Sequence, residues 1–127
     1  VSKDLLAYTS AIENIHLYGD VGFSKIPFSC PDGLVAGLSD FILSIEEVNI
    51  AIVYCMRDNG IKFSVRSVIA SVNAGKLINL ALKDIGSGGG HSSMAGGFIP
   101  IESFGVLSPY IDNSIENLFI SVIREMI

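Results

Sequence analysis

Two stretches of this chain carry residues whose types and spacing could do chemistry. The first, residues 86–98, reads GSGGGHSSMAGGF and sets six glycines around one of the chain's two histidines. The second, residues 61–68, alternates Ile61, Phe63 and Val65 with Lys62, Ser64 and Arg66. On a strand, that alternation puts two cations and a hydroxyl in a row on one face. Glycines let backbone N–H groups approach an anion with no Cβ in the way. Ser92 and Ser93 are placed to cap the first turn of a short helix, whose N-terminus favours negative charge. His91 would then stand beside that anion, donating to a phosphate oxygen or meeting a base. Arg66 suits a phosphate because its planar fork makes two parallel hydrogen bonds. Ser64 and Ser67 are further donors, although Ser67 points with Phe63 and Val65. Each feature also has a plainer reading. The glycines fit a simple helix-to-strand loop with a surface histidine, although three in a row exceed what a reversal requires. Arg66 and Lys62 fit solvent-facing cations, Lys62 the more so.

Familiar phosphate loops do not fit the glycine stretch. A dinucleotide fingerprint counted from Gly86 would need glycine where His91 stands, and counted from Gly88 it would need glycine at Ser93. No Gly-Lys-Ser/Thr closes it as a P-loop. Tyr8, Tyr18 and Phe23 could stack on bases, but core or interface packing is the commoner use of such rings. The adjacent carboxylates Glu46 and Glu47 read as solvated, and Asp40 reads as structural.

The elements that must position these residues follow from hydrophobic periodicity. Residues 2–15 read as a helix with Leu5, Tyr8, Ile12 and Ile15 on one side. Residues 16–28 read as one irregular strand broken at Gly19 and Gly22, followed by a loop at Pro27, Pro31 and Gly33. Residues 34–45 read as a helix with the stripe Leu34, Leu38, Phe41, Ile42 and Ile45. The run VNIAIVYCM, residues 48–56, is apolar on both faces and belongs in the middle of a sheet. Asp58-Asn59-Gly60 is a tight-turn signal that makes residues 61–68 its antiparallel partner. Residues 74–85 read as a helix capped by Gly86. Residues 98–101 read as a short edge strand because of Pro100. Residues 113–126 read as a closing helix with Asn113 and Glu116 at capping-box spacing. The expected fold is a single α/β domain with a mixed β-sheet flanked by helices on both faces.

Composition narrows the function classes. The chain has 127 residues, half of them apolar and only 17% charged, enough to build a core and too apolar for disorder. Its mean hydropathy is +0.55, yet no run offers the roughly 20 apolar residues of a spanning helix, so no membrane partner is expected. A net charge of −5 argues against a broad nucleic-acid surface; any phosphate is met in a local pocket. Cys30 and Cys55 give no disulfide framework, Cys55 reads as a small buried hydrophobe, and a cytoplasmic setting fits. No CxxC pair or HExxH motif points to zinc.

With these residues in view, the stretch GSGGGHSSMAGGF resembles the GGGH signature of the DHH-associated domain, the C-terminal half of DHH-family phosphoesterases. FSVRS, residues 63–67, resembles that family's strand with its serine-x-arginine pattern, and the helix AGKLINLALKDIG separates the two as the family requires. The resemblance covers residues 33–101. It implies that residues 1–15 are the connection arriving from an N-terminal DHH domain of the same polypeptide, and that residues 16–127 are the substrate-binding domain. The start at Val1, without a methionine, fits a domain excised from a longer protein.

The family hydrolyses phosphodiester or phosphomonoester bonds with two divalent metal ions, usually manganese, held by the DHH half. Its members include nanoRNases, phosphatases of adenosine bisphosphate, cyclic dinucleotide phosphodiesterases, exopolyphosphatases and RecJ-like exonucleases. Here there is no DHH tripeptide, and seven aspartates are scattered away from the two histidines. The implied chain therefore has no catalytic or metal-binding residue and no cofactor of its own, and should not turn over substrate alone. The resemblance assigns substrate contact to Arg66, Gly88, Gly89, Gly90 and His91, with Ser64 as a second donor, and a short oligonucleotide or nucleotide as the ligand. A related domain closes alanyl-tRNA synthetases, where it serves tRNA contact and dimerisation. A non-catalytic binding or dimerisation module, and hence a homodimer, is the alternative reading. The third is an unrelated α/β domain whose glycines are structural.

Overall fold

The computed structural model describes residues 3–107 and 109–127. Its organising element is β3 (Ile50–Arg57), whose first six residues are all buried. A strand apolar on both faces must be covered on both, and it occupies the centre of a six-stranded sheet. β2 (Val21–Ile26) runs parallel to it on one side, and β4 (Gly60–Ser67) antiparallel on the other. The sheet is therefore mixed. It extends past β2 to β1 (His16–Tyr18), and past β4 to β6 (Met94–Pro100) and then β5 (Ser87–Gly90).

Helices cover both faces, as expected. α1 (Lys3–Glu13) and α2 (Asp32–Leu43) pack on one side. There Val35, Leu38 and Ile42 bury against Ile26, Val53 and Cys55. α3 (Ala74–Ala81) and α5 (Ile111–Met126) pack on the other, with the short α4 (Phe104–Leu107) between them in sequence. On that side Phe63 meets Tyr54 and Phe119 with ring centroids 5.7 and 5.6 Å apart. Full burial of rings this size contributes about 1.5–3 kcal/mol each.

Several expectations need correction. Residues 16–28 form a hairpin, not one strand. Gly19 takes a φ of +59°, which closes the two-residue turn between Tyr18 and Val21. Phe41 does not join the α2 stripe; it is exposed, while Ser39 takes an inward place. α3 ends at Ala81, and the left-handed residue after it is Asp84, with φ 75°, rather than Gly86. Asn113 lies inside α5, which begins at Ile111 and has no side-chain cap. The expected helix start at Ser2 falls outside the described residues. No helix among the described residues is long and apolar enough to cross a membrane.

The largest difference concerns the glycines. Ser87–Gly90 is a strand, and residues 91–93 turn it back into β6 as a hairpin. No helix follows Ser92 and Ser93; instead the Ser92 carbonyl accepts from the first N–H of α3, that of Ala74, at 2.8 Å. β6 is longer than expected and internal, and the edge belongs to β5.

Candidate functional site

The alternation of β4 survives in the structure. Ile61, Phe63 and Val65 enter the α3/α5 core, and Lys62, Ser64 and Arg66 face the α2 side. Register then sets their neighbours. Arg66 stands opposite Met94, Ser64 opposite Gly96 and Lys62 opposite Phe98; Gly96 in turn stands opposite Gly89. Directly paired residues share a face, so one row crosses the sheet from Ser64 through Gly96 to Gly89. At about 4.8 Å per strand it spans about 10 Å. α2 packs chiefly over β3 and β4. A Cβ on Gly89 would meet nothing within 4 Å, and Met94 is exposed. The result is an open shelf of bare backbone beside a cationic strand.

Arg66 is buried where a surface cation was the plainer expectation; only 8% of it is exposed. Its Nε donates to Asp40 Oδ1 at 2.7 Å. Nη1 donates to Ser64 Oγ at 3.0 Å and to the Val65 carbonyl at 3.1 Å. Ser64 Oγ is bonded in turn to Ser39 Oγ at 2.9 Å. No buried side-chain nitrogen is left without a partner, so Nη2, which has none among the described residues, keeps access to solvent. The chain of bonds fixes the guanidinium before any ligand arrives. Asp40 is therefore structural in a specific sense: exposed at its own carboxylate, it orients Arg66 from α2.

Lys62 was assigned to solvent, yet it is half-buried and lies across the shelf. Its Nζ is 3.3 Å from where a Cβ on Gly96 would stand. The signal for it was present in the sequence, as the third member of the Arg66 and Ser64 face.

The three consecutive glycines are not equivalent. Gly88 points to α3, where a Cβ would come within 2.9 Å of Ile78 Cγ1. Gly90 is crowded by Ala95 and Met94. Only Gly89 opens onto the shelf. His91 is exposed at the hairpin tip; its backbone N–H donates to the Met94 carbonyl at 2.8 Å, and its own carbonyl accepts from Gly75 at 2.9 Å. Its ring makes no hydrogen bond among the described residues. Ser67 is buried and bonded within its own turn to Ile69.

The three singled-out rings pack within the domain. Phe23 is core, Tyr18 lies under Arg124 at 5.6 Å, and Tyr8 is half-buried against the α1/α2 layer. Glu46 and Glu47 are exposed. Cys30 and Cys55 are buried with sulfurs 3.5 Å apart. Burial, and then the bond to Cys55, push the Cys30 thiol up to about 12, which leaves it protonated and unreactive at neutral pH. Among the described residues no three His, Cys, Asp or Glu side chains converge as a metal site.

A mixed sheet with helices on both faces, a glycine-rich hairpin at one edge and a braced arginine beside it define the class of domain. The sequence model of the DHHA1 domain matches residues 19–117, and the chain belongs to that family. Comparison with curated proteins finds no match. Among solved structures it is similar to the C-Ala domain of alanyl-tRNA synthetase from Aquifex aeolicus, with TM-score 0.64, 19% identity, and coverage of 86% of this chain and 96% of that one. It is also similar to an exopolyphosphatase-related protein from Bacteroides fragilis, with TM-score 0.62, 19% identity and 96% of this chain covered. RecJ in complex with Mn2+ from Thermus thermophilus gives TM-score 0.62 and 19% identity over 93% of this chain. The chain spans 37% of the exopolyphosphatase-related protein and 16% of RecJ. At these identities the likeness is one of fold.

Proposed function

We propose that this chain is the substrate-holding domain of a metal-dependent phosphoesterase that cleaves short oligonucleotides or small nucleotides. The observation that carries this reading is the braced Arg66 beside the uncovered glycine shelf. Nη2 presents a fixed cation to a phosphate oxygen, and its orientation is set in advance by Asp40, Ser64 and Val65. Gly96 and Gly89 admit a sugar or base flat against the backbone. His91 stands at the hairpin tip as a donor for the same phosphate or the terminal nucleotide, with Gly88 and Gly90 shaping the hairpin that carries it. Two divalent metal ions, manganese in the usual case, would sit on a DHH domain of the same polypeptide and supply the activated water. The residues here bind and orient, and hold no proton for the reaction. Family membership supports this division, and so does the similarity to RecJ and the exopolyphosphatase-related protein over a minor part of their lengths.

A nucleic-acid-binding or dimerising module is the second reading, favoured by similarity to nearly the whole C-Ala domain. The net charge of −5 weighs against it, because extended RNA binding rests on many phosphate contacts.

The test is an amide chemical-shift titration with a 5′-phosphorylated dinucleotide. Shifts should cluster at Gly89, His91 and Arg66, and Arg66→Gln should weaken binding about tenfold or more. Absence of shifts at millimolar ligand overturns the reading. Hydrolysis of the dinucleotide by this chain with manganese would overturn the division of labour.

A further inference from the structure

The two cations flanking the shelf are in different electrical states. Arg66 is matched by Asp40 at 2.7 Å. Lys62 has no hydrogen bond and no ion pair among the described residues, although it is half-buried. Asp32, whose carboxyl Lys62 helps to lower, is bonded to Arg57, which holds that carboxyl below its ordinary value first and more strongly. Lys76 and Lys83, which also lack an acidic partner among the described residues, are exposed to solvent. With no buried side-chain nitrogen left unpartnered, the Lys62 ammonium reaches solvent while its stem is covered, so it can take an external anion without first giving up a bond within the chain.

Its position is as informative as its isolation. Lys62 is paired with Phe98, but its Nζ has come across to Gly96, the partner of Ser64. It leans toward the middle of the row that leads to Gly89. Arg66 lies four residues along the same strand face, about 13 Å away at the backbone. The Ser64–Gly96–Gly89 row runs between the two. A single phosphate held at Arg66 Nη2 leaves Lys62 unused. A ligand with phosphates on both sides of one nucleoside uses both, with that nucleoside over the glycines.

We infer that Lys62 is the contact for a second phosphate, so that the shelf selects ligands carrying phosphates on both sides of a nucleoside over mononucleotides. This rests on the functional reading above and adds a residue and a ligand class to it. The specificity lies in a charge that the fold leaves unpaired, next to one that the fold has already paired.

Binding of a 5′-phosphorylated dinucleotide and of a nucleoside 5′-monophosphate is measured on the parent chain and on Lys62→Gln, Lys62→Arg and Arg66→Gln. Lys62→Gln should weaken the dinucleotide about tenfold and the monophosphate less than about twofold, the size of one charge-assisted contact. Lys62→Arg should restore most of the loss, which a packing defect would not allow. An equal loss for both ligands would place Lys62 on the same phosphate as Arg66 and overturn the inference. So would an unchanged Lys62→Gln alongside a weakened Arg66→Gln, with the functional reading left standing. A parent chain that binds neither ligand would remove both.

Discussion

The two ends of the sheet treat polar groups in opposite ways. At the β1–β2 end, α5 lays Asp112, Glu116 and Arg124 along the strands at intervals of whole helical turns. Asp112 takes the Tyr54 hydroxyl at 3.0 Å and Lys25 at 3.2 Å. Glu116 takes His16 at 2.9 Å, and Arg124 bonds and stacks on Tyr18. Asp112, Glu116 and His16 line a cleft of about 380 Å³, yet these groups answer one another. At the β5–β6 end the chain removes side chains, leaves the backbone bare on the α2 side and leaves Lys62 without a partner. A cleft filled with mutual ion pairs is a strap. A bare surface beside an unmatched charge is prepared for something else.

The strongest way to break this comparison is to show that the glycine end is only a packing solution. Part of it is. A Cβ on Gly97 would lie 2.6 Å from Ile78 Cδ1 and 2.8 Å from the Ser87 carbonyl. Gly97→Val should therefore cost about 3 kcal/mol, at the upper end for overpacking, and appear as a large fall in the urea midpoint. A stable Gly97→Val would mean that α3 does not press on the hairpin.

The strap end offers the intermediate effect. Asp112→Ala removes the acceptor of the Tyr54 hydroxyl, whose titration burial, and then the Asp112 charge, already push upward. The expected loss is about 1–2 kcal/mol, with no change in nucleotide binding. Weakened binding in this variant would move function to the cleft.

The central strands and α5 were legible from residue pattern, while the ion pairs of the strap and the glycine end were not. β3 declared itself by an unbroken apolar run, β4 by strict alternation after Asp58-Asn59, and α5 by its stripe. Glycine has no side chain to display a period and is disfavoured in strands, so Ser87–Gly90 read as a loop. It is a strand because Met94–Pro100 offers its backbone a partner, and because Gly88 and Gly97 make room for Ile78 and Leu82. Of the site, Arg66 and Ser64 were legible by shared parity. The brace from Asp40 was not, because it joins residues of α2 and β4 that only the fold brings together. The β1–β2 hairpin was missed because three residues are too few to show alternation.

The smallest structural effect sharpens the comparison furthest. Gly89 sits between Gly88 and Gly90, and sequence gives no reason to separate the three. The structure does: a methyl at Gly89 enters open space, while one at Gly88 meets Ile78. Gly89→Ala should leave stability within about 0.5 kcal/mol, since an ordinary strand position tolerates a Cβ. It should still weaken the dinucleotide, because the methyl rises from the floor on which the nucleoside would lie. A thermal melt and a titration on one sample decide the matter. A stable Gly89→Ala with unchanged binding would mean that the bare face has no ligand role, and the glycines would then be explained by α3 alone.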